Sequence, residues 1–240
     1  MKTIGIIGGI SWLSSMEYYR LLNEEVNKRL GGVHAGKIIL YSVNFAEIKV
    51  LTAEDRWDEI AKIINDAARK LEQAGADCIL IGANTMHKIA NEIQQTIKIP
   101  VIHIAEATAT QIKKQQLKIV ALLGTKYTMQ LDFYKDKLSA QGITTIIPGE
   151  KEEIEFINTT IYEEMGKGIF LPATKQKFLE IINNLIKKGA EGIVLGCTEI
   201  PLLIKQEDCS VPVFDTTQIH STAAVDFALS DETILAHNYI

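Results

Sequence analysis

Three cysteines in a chain of 240 residues are too few and too odd in number for a disulfide framework. Cys78, Cys197 and Cys209 also lack metal-type spacing, so no metal is expected and any cysteine chemistry is that of free thiols. Positive charge is not in excess either. The net charge is -5 at pH 7, and the lysines are scattered through segments such as Lys113-Lys114 and Lys187-Lys188, which leaves no basic field for phosphates and argues against nucleic acid as a partner. No apolar run approaches the roughly 18 residues of a membrane span. Ile4-Gly5-Ile6-Ile7-Gly8-Gly9 is too short and glycine-rich for a secretory core, so a cytoplasmic protein with no membrane partner is expected. Neither a GxGxxG fingerprint nor a Walker loop is present, so no nucleotide cofactor is implied.

What the chain does have is a composition, 47% hydrophobic and 23% charged, that sustains one large or two compact globular cores. Short apolar runs alternate with amphipathic stretches, the pattern of parallel sheets covered by helices. Strands are expected at Thr3 to Ile7, Ile38 to Val43, Cys78 to Ile81, Val101 to Ile104, Ile119 to Leu123, Thr144 to Ile147, Ile193 to Leu195 and Val213 to Phe214. Ser15 to Arg29, Asp58 to Ala74, Met129 to Gln141 and Thr174 to Lys188 carry apolar residues at helical intervals.

The pattern repeats. Gly75-Ala76-Asp77-Cys78-Ile79-Leu80-Ile81-Gly82 returns about 114 positions later as Gly189-Ala190-Glu191-Gly192-Ile193-Val194-Leu195-Gly196. Ile99-Pro100-Val101-Ile102 is answered by Val211-Pro212-Val213-Phe214, and Ile4-Gly5-Ile6-Ile7-Gly8 by Val120-Ala121-Leu122-Leu123-Gly124. A duplicated α/β unit follows, with halves that can face each other across a pseudo-twofold axis. The expected division is 1–98 with 211–240 as the first domain and 99–210 as the second.

Ligands of open parallel sheets sit at the carboxyl ends of strands. The best-matched ends are Ala83-Asn84-Thr85 and Cys197-Thr198-Glu199, which places a site in the cleft between the halves. Asn84, Thr85 and Thr198 offer neutral donors suited to a small carboxylic acid. Gly8-Gly9-Ile10-Ser11 and Gly124-Thr125-Lys126-Tyr127-Thr128 follow the first strand of each half and close over the same space. Cys197, between an apolar strand and Thr198-Glu199, is the expected reactive group, in a setting that lowers a thiol pKa. Cys78 and Cys209 read as structural. His87 and His220 are further candidates, each balanced by a packing or capping role; His34, His103 and His237 have weaker cases. Glu47 and Lys167 are candidate charged cleft residues, set against a solvated face.

At these residues the chain resembles the aspartate/glutamate racemases, in particular their broad-specificity branch, over almost its whole length. The matching segments are Ile4 to Trp12, Tyr18-Tyr19-Arg20, Asn84-Thr85-Met86-His87, Ala121 to Thr125, Gly196-Cys197-Thr198-Glu199-Ile200 and Phe214-Asp215-Thr216. The resemblance implies two pseudo-symmetric α/β domains, often paired as homodimers, and racemisation of an acidic amino acid without pyridoxal phosphate or other cofactor. It implies substrate contacts from Ile10, Ser11, Asn84, Thr85, Met86, Thr125, Thr128, Thr198 and Glu199. It also implies two acid/base residues on opposite faces of the substrate Cα, of which Cys197 matches one. Here the chain departs from its relatives: the other position is Ala83, which has no proton to transfer. Lys167 is likewise one position out of register for the charged residue that some relatives supply near Tyr162. One-base chemistry on a dicarboxylic acid, such as decarboxylation or isomerisation, and a catalytically silent amino-acid binder remain alternatives.

Overall fold

The computed structural model describes residues 1–230. The first half runs β1 (Ile4–Gly8), α1 (Trp12–Leu30), β2 (Ile38–Ser42), α2 (Phe45–Ala53), α3 (Trp57–Gln73), β3 (Cys78–Ile81), a 3-10 turn (Thr85–Ile89) and α4 (Ala90–Thr96). Next come α5 (Ile104–Lys114), β4 (Ile119–Gly124), α6 (Lys126–Gln130), α7 (Asp132–Ser139), β5 (Thr144–Ile146) and α8 (Lys151–Glu163). The described chain ends with α9 (Pro172–Lys187), β6 (Gly192–Gly196), α10 (Ile200–Leu203), β7 (Val213–Asp215) and α11 (Thr216–Leu229).

Among the described residues all strand pairs are parallel, in the orders β2-β1-β3 and β5-β4-β6-β7. β1, β3 and β6 are buried along their whole length, which explains why they read as continuous apolar runs rather than alternating ones. Their side chains still alternate between faces. Ile7, Ile79 and Ile81 join the core against α3, while Ile4, Ile6, Cys78 and Leu80 join the core on the other side.

The duplication extends to hydrogen bonds. Gln94 Oε1 accepts from Val101 N at 2.8 Å, and its repeat mate Gln206 accepts from Val213 N at 2.9 Å. Ile79 N donates to Pro100 O and Ile193 N to Pro212 O, each at 2.9 Å. Val101 thus occupies the place in the first sheet that β7 occupies in the second, but with a single bridge, to Ile79. The strand expected over Val101 to Ile104 stops there because His103 accepts from Ala105 N and starts α5. The helix expected over Met129 to Gln141 is two helices, broken where Leu131 is extended.

Each half lends its last helix to the other. α5 leaves the first sheet and packs Ile104, Ala109 and Ile112 on Val120, Leu122 and Val194, whereas α11 leaves the second sheet and packs Ala224, Val225 and Ala228 on Ile4, Ile6 and Tyr18. The strand pairing departs from the expected division at one place. β7 hydrogen-bonds into the second sheet, so 211–215 goes with that sheet rather than with the first half, and only α11 returns to the first. Residues 231–240 of that expected segment, His237 among them, lie outside the described residues. Among the described residues no helix is long and apolar enough to cross a membrane.

Candidate active site

The loops after equivalent strands meet around a cavity of about 260 Å³ that both halves line. Cys197 follows the last residue of β6, and Ala83 stands two residues past β3. Ile10, Ser11, Asn84, Thr85, Met86, Thr125, Thr198 and Glu199 line the same space, as expected of the strand ends. Gly9 makes the first of these loops possible: its φ is +84°, and a Cβ there would fall 2.1 Å from Val43 O. Thr128 is fully buried and does not reach the cavity surface; it stands behind Thr85 and Thr125, 3.3 and 3.2 Å from their hydroxyls.

Glu199 gathers the network around the thiol. Its Oε2 accepts from Cys197 Sγ at 2.8 Å and from Thr198 Oγ1 at 2.7 Å. Ser14 and Ser11, at the start of α1 in the other half, bring hydroxyls within 3.3 and 3.4 Å of Oε1. Ser14 Oγ also lies 2.5 Å from Thr198 Oγ1, so the loop carrying Cys197 is tied across the cleft. Cys197 does not have the lowered pKa expected from sequence. Burial, then the neighbouring Glu199 carboxylate and the bond the thiol donates to it, push the Cys197 pKa well up. Cys197 rests as a protonated thiol with a proton acceptor in contact.

The histidines belong elsewhere. His87 lies under the loop, with Nδ1–H donating to Ala83 O at 3.0 Å, and its ring stacks toward His103 and His220 at 4.8 and 5.4 Å. Burial pulls its pKa down to about 4, so it is neutral, and it does not line the cavity. His220 is equally removed. Its Nε2–H donates to Ile102 O at 2.6 Å and its Nδ1 accepts from Tyr18 at 2.8 Å, which makes it a bracket between α11, α1 and the crossover to α5. Glu47 is exposed on the first turn of α2, where it accepts from Asn44 Nδ2. Lys167 is exposed and pairs with Glu163 at 2.6 Å, outside the cavity.

Two lysines line the cavity, Lys126 at the start of α6 and Lys49, with Phe45, Ile48 and Thr52, on α2; Tyr162 and Asn158 face in from α8. Lys49 is about half exposed and lies 3.6 Å from Glu163, at the mouth of the cleft. Phe45, Ile48, Lys49 and Thr52 escaped sequence reading because α2 did. Its signal was Asn44-Phe45-Ala46-Glu47, a helix-start pattern in which Asn44 caps and an acidic residue follows three positions later.

A model of the family described as Asp/Glu/hydantoin racemase matches residues 7–224. The chain belongs to that family. Members of the Asp/Glu/hydantoin racemase family are cofactor-independent isomerases, and this chain is an enzyme of that class. It is 28% identical over 173 residues to the broad-specificity amino-acid racemase RacX of Bacillus subtilis, across 72% of this chain and 74% of RacX. Among solved structures, PH1733, an aspartate racemase homologue from Pyrococcus horikoshii, is 38% identical with a TM-score of 0.84, over 95% of this chain and 99% of that one. A Yersinia pestis protein provisionally assigned as an Asp/Glu racemase is 46% identical with a TM-score of 0.89, over 95% of this chain and all (100%) of that one. The two-sheet, pseudo-symmetric architecture is the fold of these racemases.

The Cys197–Glu199 contact makes a prediction with a definite sign. The carboxylate beside the thiol raises the thiol pKa, so Glu199→Gln is expected to lower it and to shift the pH midpoint of Cys197 alkylation by iodoacetamide downward. Peptide mass spectrometry separates Cys197 from Cys78 and Cys209. A midpoint that stays or rises would show that the carboxylate does not govern the thiol.

Proposed function

We propose that this racemase-family enzyme transfers a proton at Cα of aspartate, glutamate or a related small amino acid, with Cys197 serving one face of Cα. The observation that supports this reading is that the Cys197 thiol, with Glu199 as its acceptor, and Ala83, its repeat mate, line one cavity. The Cα–H of an amino acid is a very weak acid, and its carbanion needs donors aimed at the carboxylate in a space shielded from water. Thr85 and Thr125, with Asn84 and the loop N–H groups at the strand ends, supply neutral donors in that space. Cys197 passes its proton to Glu199, and the thiolate then takes the proton from Cα. The electron pair of the broken C–H bond delocalises onto the substrate carboxylate. Lys49 at the mouth complements a side-chain carboxylate.

Inversion requires the proton to return from the other face, where Ala83 offers a methyl group. Return from Cys197 restores the starting configuration, and inversion waits on water. In D₂O, L-aspartate and L-glutamate are therefore expected to lose their Cα–H signal faster than they lose optical activity. NMR and polarimetry on a panel of L- and D-amino acids check this; absence of exchange with every member would leave only binding and sink the reading. The same Ala83 favours a second reading, one-base decarboxylation or isomerisation of a small dicarboxylic acid. The assay distinguishes it by a new product in place of a deuterated substrate.

A further inference from the structure

Several of the hydroxyls lining the cavity are already engaged, while Asn84 Oδ1 is buried without a partner among the described residues. Thr85 pairs with Thr125 at 2.9 Å, Thr198 donates to Glu199, and Tyr127 Oη donates to Thr52 O at 3.1 Å. Tyr162 is different. Its one contact of this kind is through the ring, with Lys49 Nζ 5.7 Å from the centroid, and its hydroxyl meets no hydrogen-bonding partner among the described residues. Burial, then the neighbouring acidic groups Cys197, Tyr127 and Glu199, push its phenol up, so it stays protonated and donates. It sits on α8 one turn after Asn158, with Lys49 of α2 beside its ring.

From this geometry we infer that Tyr162 is a specificity-determining residue: its hydroxyl donates to the distal end of the substrate and selects amino acids whose side chain ends in a hydrogen-bond acceptor. The inference rests on reading the cavity as an amino-acid site. The position argues for the distal end. The hydroxyls of Thr85, Thr125 and Thr198 cluster at the strand ends near Cys197, where the reacting carbon and its carboxylate belong. Tyr162 shares its wall with Lys49, which is half exposed at the opening. Ammonium and phenol together give that wall one flexible charge and one fixed donor. The fixed donor discriminates, because a donor left unpaired by an apolar side chain costs more than a mobile lysine returned to water.

Tyr162→Phe keeps the ring, its packing and its contact with Lys49 and removes the hydroxyl alone. In titration calorimetry it is expected to weaken aspartate roughly tenfold while alanine stays within about twofold, the fold-change of one hydrogen bond to a charged group. Equal weakening of both, or of neither, would overturn the inference. A second measurement needs neither turnover nor an amino acid. Iodoacetate and iodoacetamide compete for Cys197, and the anionic reagent's advantage there, relative to Cys209, is expected to fall several-fold in Tyr162→Phe. An unchanged ratio overturns the role of Tyr162 on its own. A parent chain that binds no amino acid yet favours iodoacetate at Cys197 would sink the substrate reading and leave the anion-receiving wall standing.

Discussion

Cys197→Ser is expected to slow exchange of the substrate Cα proton with solvent deuterium by roughly 10² to 10⁴, the usual weight of one positioned acid or base. Serine preserves the size and the hydrogen bond toward Glu199, so the fold and the loop should survive. It removes acidity, because an alkoxide is far less accessible than a thiolate beside a carboxylate acceptor. NMR in D₂O on aspartate and glutamate gives the rate, and exchange within about threefold of the parent would exclude Cys197 as the base. The effect should also separate from that of Glu199→Gln. That variant makes the thiol easier to ionise in alkylation, yet it slows exchange because the proton leaving Cys197 loses its receiver. Opposite responses of the two readouts are not expected of a pair with only a packing role.

Much of this site was legible in the sequence because it sits where backbone pattern and chemistry coincide. Cys197 and Ala83 occupy matched positions after matched apolar strands, and the parallel sheet sends both to the same edge. Loop residues Ile10, Ser11 and Thr125 followed from the same reasoning. What escaped depended on side-chain direction or on strand pairing. His87 is three residues past Asn84 and still turns beneath the loop, since the 3-10 turn from Thr85 points it at His103 and His220 instead of the cavity. Lys167 lies one residue past a cavity-lining glycine, yet pairs outward with Glu163. No local periodicity announces that β7 pairs with the second sheet; the whole of 211–240 was expected with the first half, where α11 packs Ala224 and Val225 against Tyr18. The direction of the Cys197 pKa was missed for a related reason. The loop suggests a helix-terminus environment, but the thiol is buried and its nearest charge is negative.

Ala83→Cys is the complementary change, and inversion of configuration is expected to rise by roughly 10² to 10⁴ over the parent, until optical activity decays in step with Cα–H exchange. The site can accept the added sulfur. Ala83 is only partly buried at the edge of the first core and faces a cavity of about 260 Å³, so a thiol extends into open space instead of overpacking the interior. The backbone beneath is held by His87 Nδ1–H on Ala83 O, a bond the substitution leaves intact. Cys197 would then remove a proton from one face while the new thiol supplies one to the other, and deuterium would enter with inversion instead of retention. Ala83→Ser provides the control, since a hydroxyl in the same place is a poorer acid and should recover only part of the gain. If Ala83→Cys folds with an unchanged melting temperature and exchanges Cα–H as the parent does, yet gains no inversion, then the face opposite Cys197 is not where Ala83 stands, and the two-face reading of the cavity fails.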